Sequence, residues 1–166
     1  VNLAMDTLAA IAFGSEPALK EYMKEKPVAR DASIVTRNML TEVVISALFI
    51  TIACLSIRFA PFCQNLLGAM KNGVLDTTLL NSAVFATFMM AITFNGFNAR
   101  TGHMNVFENL GRNKNFLLVM GAIFVLQFIF VTFGGAVLGV EALSATNWLI
   151  CLLVAFMVIP IDLIRK

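Results

Sequence analysis

Four stretches of this chain carry no charged side chain: Val43 to Ile57, Thr77 to Ala99, Asn115 to Val140 and Ala142 to Ile161. A helix that crosses a bilayer needs about 20 mainly apolar residues, and the last three stretches meet that length outright. The first is shorter, but Met39 and Leu40 before it and Phe59 after it extend the apolar run. Glu42 and Arg58 are then placed to reach the two interfaces with their long side chains. Composition points the same way. With 59% hydrophobic and 13% charged residues and a mean hydropathy of +0.85, the chain lies far from soluble proteins, in which roughly a quarter of residues are charged. The expected fold is all-α, an integral membrane helix bundle with full spans at about 38–60, 77–99, 115–135 and 144–163.

Residues 1 to 15 read as a fifth, truncated span. They begin apolar, without an initiator Met and without the basic region of a signal peptide, so the expectation is the C-terminal piece of something larger. Within that segment, Asp6 is costly, and an ionisable group in a spanning helix reads by default as an ion or proton site. Asn2 precedes Asp6 by four residues, which puts both on one helix face. An amide oxygen and a carboxylate are hard ligands of the kind Ca²⁺ prefers. A second reading, in which Asp6 stabilises a helix N-terminus, stays open at this point.

The basic residues separate by side once the loops alternate. Lys20, Lys24, Lys26, Arg30 and Arg37 fall in the first loop, Arg100, Arg112 and Lys114 in the third, and Arg165 and Lys166 at the end of the chain; Arg58 and Lys71 fall opposite. The positive-inside rule therefore predicts that loops 16–37 and 100–114 and the C-terminus are cytoplasmic. The net charge of +2 reports membrane topology and implies no nucleic-acid partner. Asn65 to Asp76 reads as a short polar turn on the outer side, Val106, Phe107 and Leu110 as one amphipathic turn at the membrane surface, and Gly134-Gly135 as a turn.

The remaining polar residues suggest little chemistry. Cys54, Cys63 and Cys151 lack CxxC spacing and read as small buried hydrophobes. His103 lies in a basic loop with no second ligand nearby and reads as solvated. Gln127, alone in an apolar span, and Asn95 and Asn98, near a helix end, read first as interhelical hydrogen-bonding residues. Asp162 beside Arg165 reads as a solvated interfacial pair. The phosphate-loop, zinc-protease, nucleophile-elbow and dinucleotide-binding motifs are absent, so the chain alone is expected to catalyse nothing.

Three runs carry a specific resemblance. VNLAMDTLAAIAFGSEP resembles the sixth transmembrane helix and adjoining turn of P-type calcium pumps, particularly the plasma-membrane type, where an NLxMDT core precedes an acidic-Pro turn. FNGFNARTGHMNVFENLGRNKNF is similar to the end of that family's eighth helix and the next loop. FVTFGG, with the later Asn147-Trp148 at the start of a last span, is similar to the family's final two helices. Order and spacing cover essentially all 166 residues. The resemblance implies a single C-terminal transporter domain over residues 1–166, helices six to ten of a pump that exports Ca²⁺ from the cytosol across the cell membrane. Its DKTGT phosphorylation motif is absent here, so ATP and Mg²⁺ would be bound by upstream cytoplasmic domains. The implied partners are those domains, the upstream membrane helices and the lipid bilayer.

Carried over residue by residue, Asn2 and Asp6 match the family's sixth-helix calcium ligands and form half of one site. Asn95 and Asn98 are possible supporting polar contacts. Met5 stands where two-site pumps carry a threonine ligand, and a thioether suits hard Ca²⁺ poorly. Ile92 stands where those pumps have an eighth-helix glutamate. Both departures predict one ion per cycle. The alternatives are a P-type pump for Mn²⁺, Na⁺ or H⁺, and a non-enzymatic helical scaffold or channel module.

Overall fold

The computed structural model describes residues 2–15, 24, 33, 35–71, 73–101, 104–107 and 110–166, with residues 2–5 and 136 described by backbone alone. In chain order, the helices are α1 (Asn2–Gly14), α2 (Arg37–Phe59), α3 (Pro61–Leu66), α4 (Thr77–Arg100), α5 (Lys114–Phe133), α6 (Gly135–Leu138), α7 (Ala145–Phe156) and α8 (Val158–Arg165). Four helical segments are long and apolar enough to cross a membrane: α2, α4, α5, and α7 with α8 taken together. The protein is an all-α membrane helix bundle.

Each of those segments starts on a polar residue that satisfies a backbone N–H left over at the helix start. Thr36 Oγ1 accepts from Met39 N at 3.2 Å, Asp76 Oδ1 from Leu79 N at 3.0 Å, Asn113 Oδ1 from Phe116 N at 2.9 Å, and Ser144 Oγ from Asn147 N at 3.2 Å. Without such caps, up to four N–H groups per helix would need water or other partners.

Helix α4 is the centre of the bundle, packing against α2, α5, α7 and α8, while α1 packs on α5. Two apolar clusters result. One joins α2, α4, α7 and α8 through Ile50, Leu80, Ala83, Ala86, Cys151 and Val158; the other joins α1, α4 and α5 through Ala12, Met89, Phe97, Phe116 and Met120. Gly96 allows the close approach of α4 and α5, since a Cβ there would lie 3.0 Å from Met120 Cε. Outside the core, the bundle presents apolar side chains such as Val43, Leu48, Ile52 and Leu118, as lipid contact requires.

Two sequence expectations change. The segment read as a polar turn, Asn65 to Asp76, contains the end of α3 and a hairpin, β1 (Met70–Lys71) paired antiparallel with β2 (Val74–Leu75). Gly73 closes it at φ +79°, a backbone conformation that glycine adopts without steric cost. The last span, expected at about 144–163, runs from Ala145 to Arg165 with one irregular turn at Met157, whose N–H reaches the Val154 carbonyl three residues back at 3.2 Å; Pro160 has no N–H to return to the Phe156 carbonyl. Val106, expected at the membrane surface, is buried, and Arg100 Nη2 donates to its carbonyl at 3.3 Å.

Candidate functional site

Helix α1 contacts the bundle along one side. Leu8 and Ala12 belong to the cluster with Phe116 and Met120, and the Phe13 and Phe116 rings lie 6.0 Å apart. At 3.6 residues per turn, Asp6 points about 120° away from Ala12 and about 160° away from Leu8, but within about 20° of Phe13 seven residues on. Its side chain is exposed, and among the described residues it makes no ion pair. Asn2 lies in the first turn of α1, but its side chain, like that of Met5, lies outside the described residues. The structure thus leaves the Asp6 carboxylate exposed, in line with Phe13 rather than opposite the bundle, and leaves the geometry of an Asn2–Asp6 pair undescribed.

Asn95 and Asn98 are brought together on α4. Asn98 Nδ2 donates to Asn95 Oδ1 at 3.3 Å and to the Val158 carbonyl of α8 at 3.1 Å. Ser46 of α2 donates to the same Asn95 oxygen at 2.9 Å. These contacts join three helices, with Asn98 fully buried and Asn95 half-buried. Asn95 and Ser46 form the polar floor of an otherwise mostly apolar groove of about 290 Å³ between α2 and α4, whose walls include Val43, Ile50, Phe88 and Ile92. No hydrogen bond among the described residues joins Asp6 to this floor. Deeper in the bundle, Gln127 of α5 donates to the Met89 carbonyl at 3.2 Å and to Thr93 Oγ1 at 2.9 Å, the interhelical role that its isolation in an apolar span suggests.

Asp162 requires a correction. Read from the sequence as half of a solvated interfacial pair, it is fully buried. Arg165 Nε donates to its Oδ1 at 2.5 Å, and Lys166 Nζ lies 3.3 Å from its Oδ2. Arg165 Nη2 also reaches Glu42 Oε2 on α2 at 3.3 Å, and Lys166 Nζ donates to the Asn98 and Thr101 carbonyls at 3.1 and 2.6 Å. The physical reason is that α8 packs between α2 and α4, so its last turn turns inward. Two positive charges neutralise two negative ones, as burial of charge requires. The spacing of Asp162, Arg165 and Lys166, three and four residues apart, was the available signal for this cluster. Glu42 and Ser46 gave no such signal, because their partners lie 123 and 49 residues away.

At the opposite end of α4, Lys71 Nζ lies 2.8 Å from Asp76 Oδ2. The hydrogen bond from Lys71, and then that from the Leu79 N–H, hold the Asp76 carboxyl below its ordinary pKa; the Asp76 partner raises that of Lys71. Among the described residues, no three His, Cys, Asp or Glu side chains converge as a metal-binding group. His103 lies outside the described residues. The three cysteines are free, Cys151 buried and Cys54 and Cys63 half-buried.

Comparison with known proteins places this architecture. A family model described as "Cation transporting ATPase, C-terminus" matches residues 1–166. The chain is 32% identical over 163 residues to a plasma membrane calcium-transporting ATPase, mca-1, of Caenorhabditis elegans, covering 94% of this chain and 13% of that protein. It is 35% identical over 155 residues to a putative plasma membrane-type calcium-transporting ATPase of Arabidopsis thaliana, covering 93% of this chain and 15% of that one. It is 33% identical over 175 residues to the calcium-transporting ATPase PAT1 of Dictyostelium discoideum, covering 100% of this chain and 15% of the relative. The chain therefore spans about one seventh of the length of the curated relatives it matches.

Proposed function

Because the chain belongs to the cation-transporting ATPase C-terminal family, we propose that it forms membrane helices six to ten of a P-type pump that exports Ca²⁺ from the cytosol. In this reading, Asp6 and Asn2 of α1 supply half of a single ion site, and upstream helices supply the rest. The observation that carries it is the position of Asp6. It stands exposed in an apolar helix, ahead of Leu8 and Ala12, which pack into the bundle, with no ion pair among the described residues. A carboxylate so placed is available to a cation and to further ligands approaching from outside this part of the bundle.

Ca²⁺ usually takes six to eight oxygens, which two side chains cannot provide. Binding then requires the α1 face to meet other oxygen donors, and ATP and Mg²⁺ belong to domains upstream that would drive that encounter. Ile92 supports a stoichiometry of one. It presents an aliphatic side chain to the groove beside Asn95, where a second hard-cation site would need an acidic ligand. With loops 16–37 and 100–114 on the cytoplasmic side, ions enter from the face at which α2 begins. Asn95 and Asn98 act by holding α2, α4 and α8 together.

The test is ⁴⁵Ca²⁺ uptake into inverted vesicles that contain the full-length protein with Asp6→Asn. Loss of uptake with the protein still inserted is the expected result; unchanged uptake and calcium affinity would remove Asp6 from the site. Competition of phosphoenzyme formation by Ca²⁺, Mn²⁺, Na⁺ and H⁺ identifies the ion, and a transport ratio near two Ca²⁺ per ATP would contradict the single site.

A further inference from the structure

The last span is helical from Ala145 to Arg165 but carries one irregular turn at Met157, and the short helix after that turn is held both by Val158 and Ile159 in the core and by polar side chains from other helices. Helix α8 starts after the turn at Met157, and Pro160 weakens the backbone ladder across the joint. Its first turn receives the Asn98 amide at the Val158 carbonyl, 3.1 Å away. Its last turn carries Asp162 and Arg165, which with Lys166 and Glu42 make a neutral four-charge cluster on α2 and at the end of α8, tied to the end of α4 through backbone carbonyls. Lys166 contributes most to the join with α4. Its ammonium sits among the Asn98 and Thr101 carbonyls and the Asp162 carboxylate, so it satisfies carbonyls that the end of α4 leaves without helical partners and places a positive charge at the negative end of the α4 dipole.

We propose that α8 is a clip, anchored by Val158 and Ile159 and closed onto α2 and α4 by Asp162, Arg165, Lys166 and Glu42. Closed, it holds the ends of α2 and α4 at a fixed separation and keeps Asn98 turned toward Asn95 and so toward the floor of the groove. Breaking the cluster leaves Val158 and Ile159 packed with Ala83, Ala86, Cys151 and Ala155 and loosens the turn that carries Asp162 and Arg165, so that turn moves away from α4 while α4 and α7 stay packed. The device works the same way whichever cation the protein moves.

The experiment measures distances between spin labels in the full-length protein in liposomes, with native cysteines replaced. One pair joins Val43 on α2 to Ile164 on α8, both exposed; the second joins Ala99 on α4 to Ile164. With Asp162, Arg165, Lys166 and Glu42 intact, each pair is expected to give one narrow distance. Lys166→Met and Asp162→Asn are expected to lose that single distance and gain a longer population, whereas Lys166→Arg, which keeps the charge, retains it. The double variant Asp162→Asn with Lys166→Met removes one charge of each sign and leaves Glu42 with Arg165. It therefore avoids an unpaired buried charge and is expected to show the longer population in the Ala99–Ile164 pair. A single narrow distance of unaltered length in the double variant, or in both single variants, overturns the proposal. Because no ion is transported in this measurement, its failure is separate from failure of the Asp6 assignment.

Discussion

Asp6 and Asp162 are the same residue type in apolar helices at the two ends of the chain, and the structure treats them oppositely. Asp162 is fully buried, with Arg165 and Lys166 supplied from its own helix at three and four residues' distance. Asp6 is exposed, with no basic residue in α1 and no ion pair among the described residues. A carboxylate in an apolar segment is therefore not in itself a sign of an ion site. What separates the two is whether the chain brings its own counter-charge. Where it does, the carboxylate becomes part of the scaffold; where it does not, the group remains available to a ligand.

The most severe way to break this contrast is Asp162→Ala. Two positive charges would remain at a site where Asp162 and Lys166 have almost no solvent contact, and removing one member of a buried ion pair typically costs about 3–5 kcal/mol. Thermal unfolding of the full-length protein in detergent should show the loss, with Asp6→Asn within about 0.5 kcal/mol of the parent because the Asp6 side chain is exposed and has no ion pair among the described residues. Transport should rank the two differently, with Asp6→Asn abolishing ion uptake in a protein that unfolds normally. If both variants are equally destabilised, the division between scaffold and site fails.

Next in size is Gly96→Leu, which attacks the other way of holding a helix to this bundle. α8 is held by charges and hydrogen bonds in addition to the packing of Val158 and Ile159, α1 by packing of Leu8, Ala12 and Phe13. A Cβ at position 96 already meets Met120 Cε at 3.0 Å and Phe13 Cζ at 3.9 Å. A leucine should cost about 1–3 kcal/mol by overpacking and loosen α1, read as faster proteolysis near Ser15. Gly96→Ala should come out near zero, since the Met120 terminus can move and alanine gains up to about 1 kcal/mol in helix propensity.

The contrast also shows how much was legible in the amino-acid order. The spans are visible because charge-free runs of the required length have few other fates, and their starts at Thr36, Asp76, Asn113 and Ser144 accord with capping chemistry. Asp6 stands out because nothing near it in the chain pairs with it. The irregular turn at Met157 escapes a hydropathy reading although Pro160 signals it, because the apolar run continues through the joint and hydropathy does not register a missing N–H. The burial of Asp162 escapes for a different reason. Its position beside Arg165 near the interfacial end of the last helix suggests water, and only the packing of α8 between α2 and α4, a fact about distant segments, turns the cluster inward. Ser46 is equally silent, since a serine acquires its role from Asn95 on another helix.

Glu42→Gln probes the cluster more gently. Glu42 is partly exposed and reaches Arg165 at 3.3 Å while Asp162 still neutralises that guanidinium. The expected cost is about 0.2–1 kcal/mol, well below that of Asp162→Ala. A loss equal to that of Asp162→Ala would mean that the charges act as one unit rather than as a buried pair with a peripheral partner.

The smallest effect belongs to a third aspartate, which sharpens the comparison because it is partnered without being buried in the bundle. Asp76 caps α4 and accepts from Lys71, and these hydrogen bonds hold its pKa below the ordinary 3.8. A carboxyl whose folded pKa is depressed binds its proton more readily in the unfolded chain. Its contribution is therefore complete above the unfolded value and disappears as pH falls through the folded one. Lys71, raised above 10.5 by the same partner, has the mirror-image dependence, its contribution being lost as pH rises through the folded value. Asp76→Asn retains an oxygen to cap Leu79 but cannot titrate. It should leave unfolding at neutral pH nearly unchanged and flatten the fall in stability below about pH 4. An acid limb unchanged in Asp76→Asn would show that the hydrogen bonds from Lys71 and Leu79 do not carry it, and a partnered carboxylate outside the bundle would then add nothing that the buried Asp162 pair does not already supply.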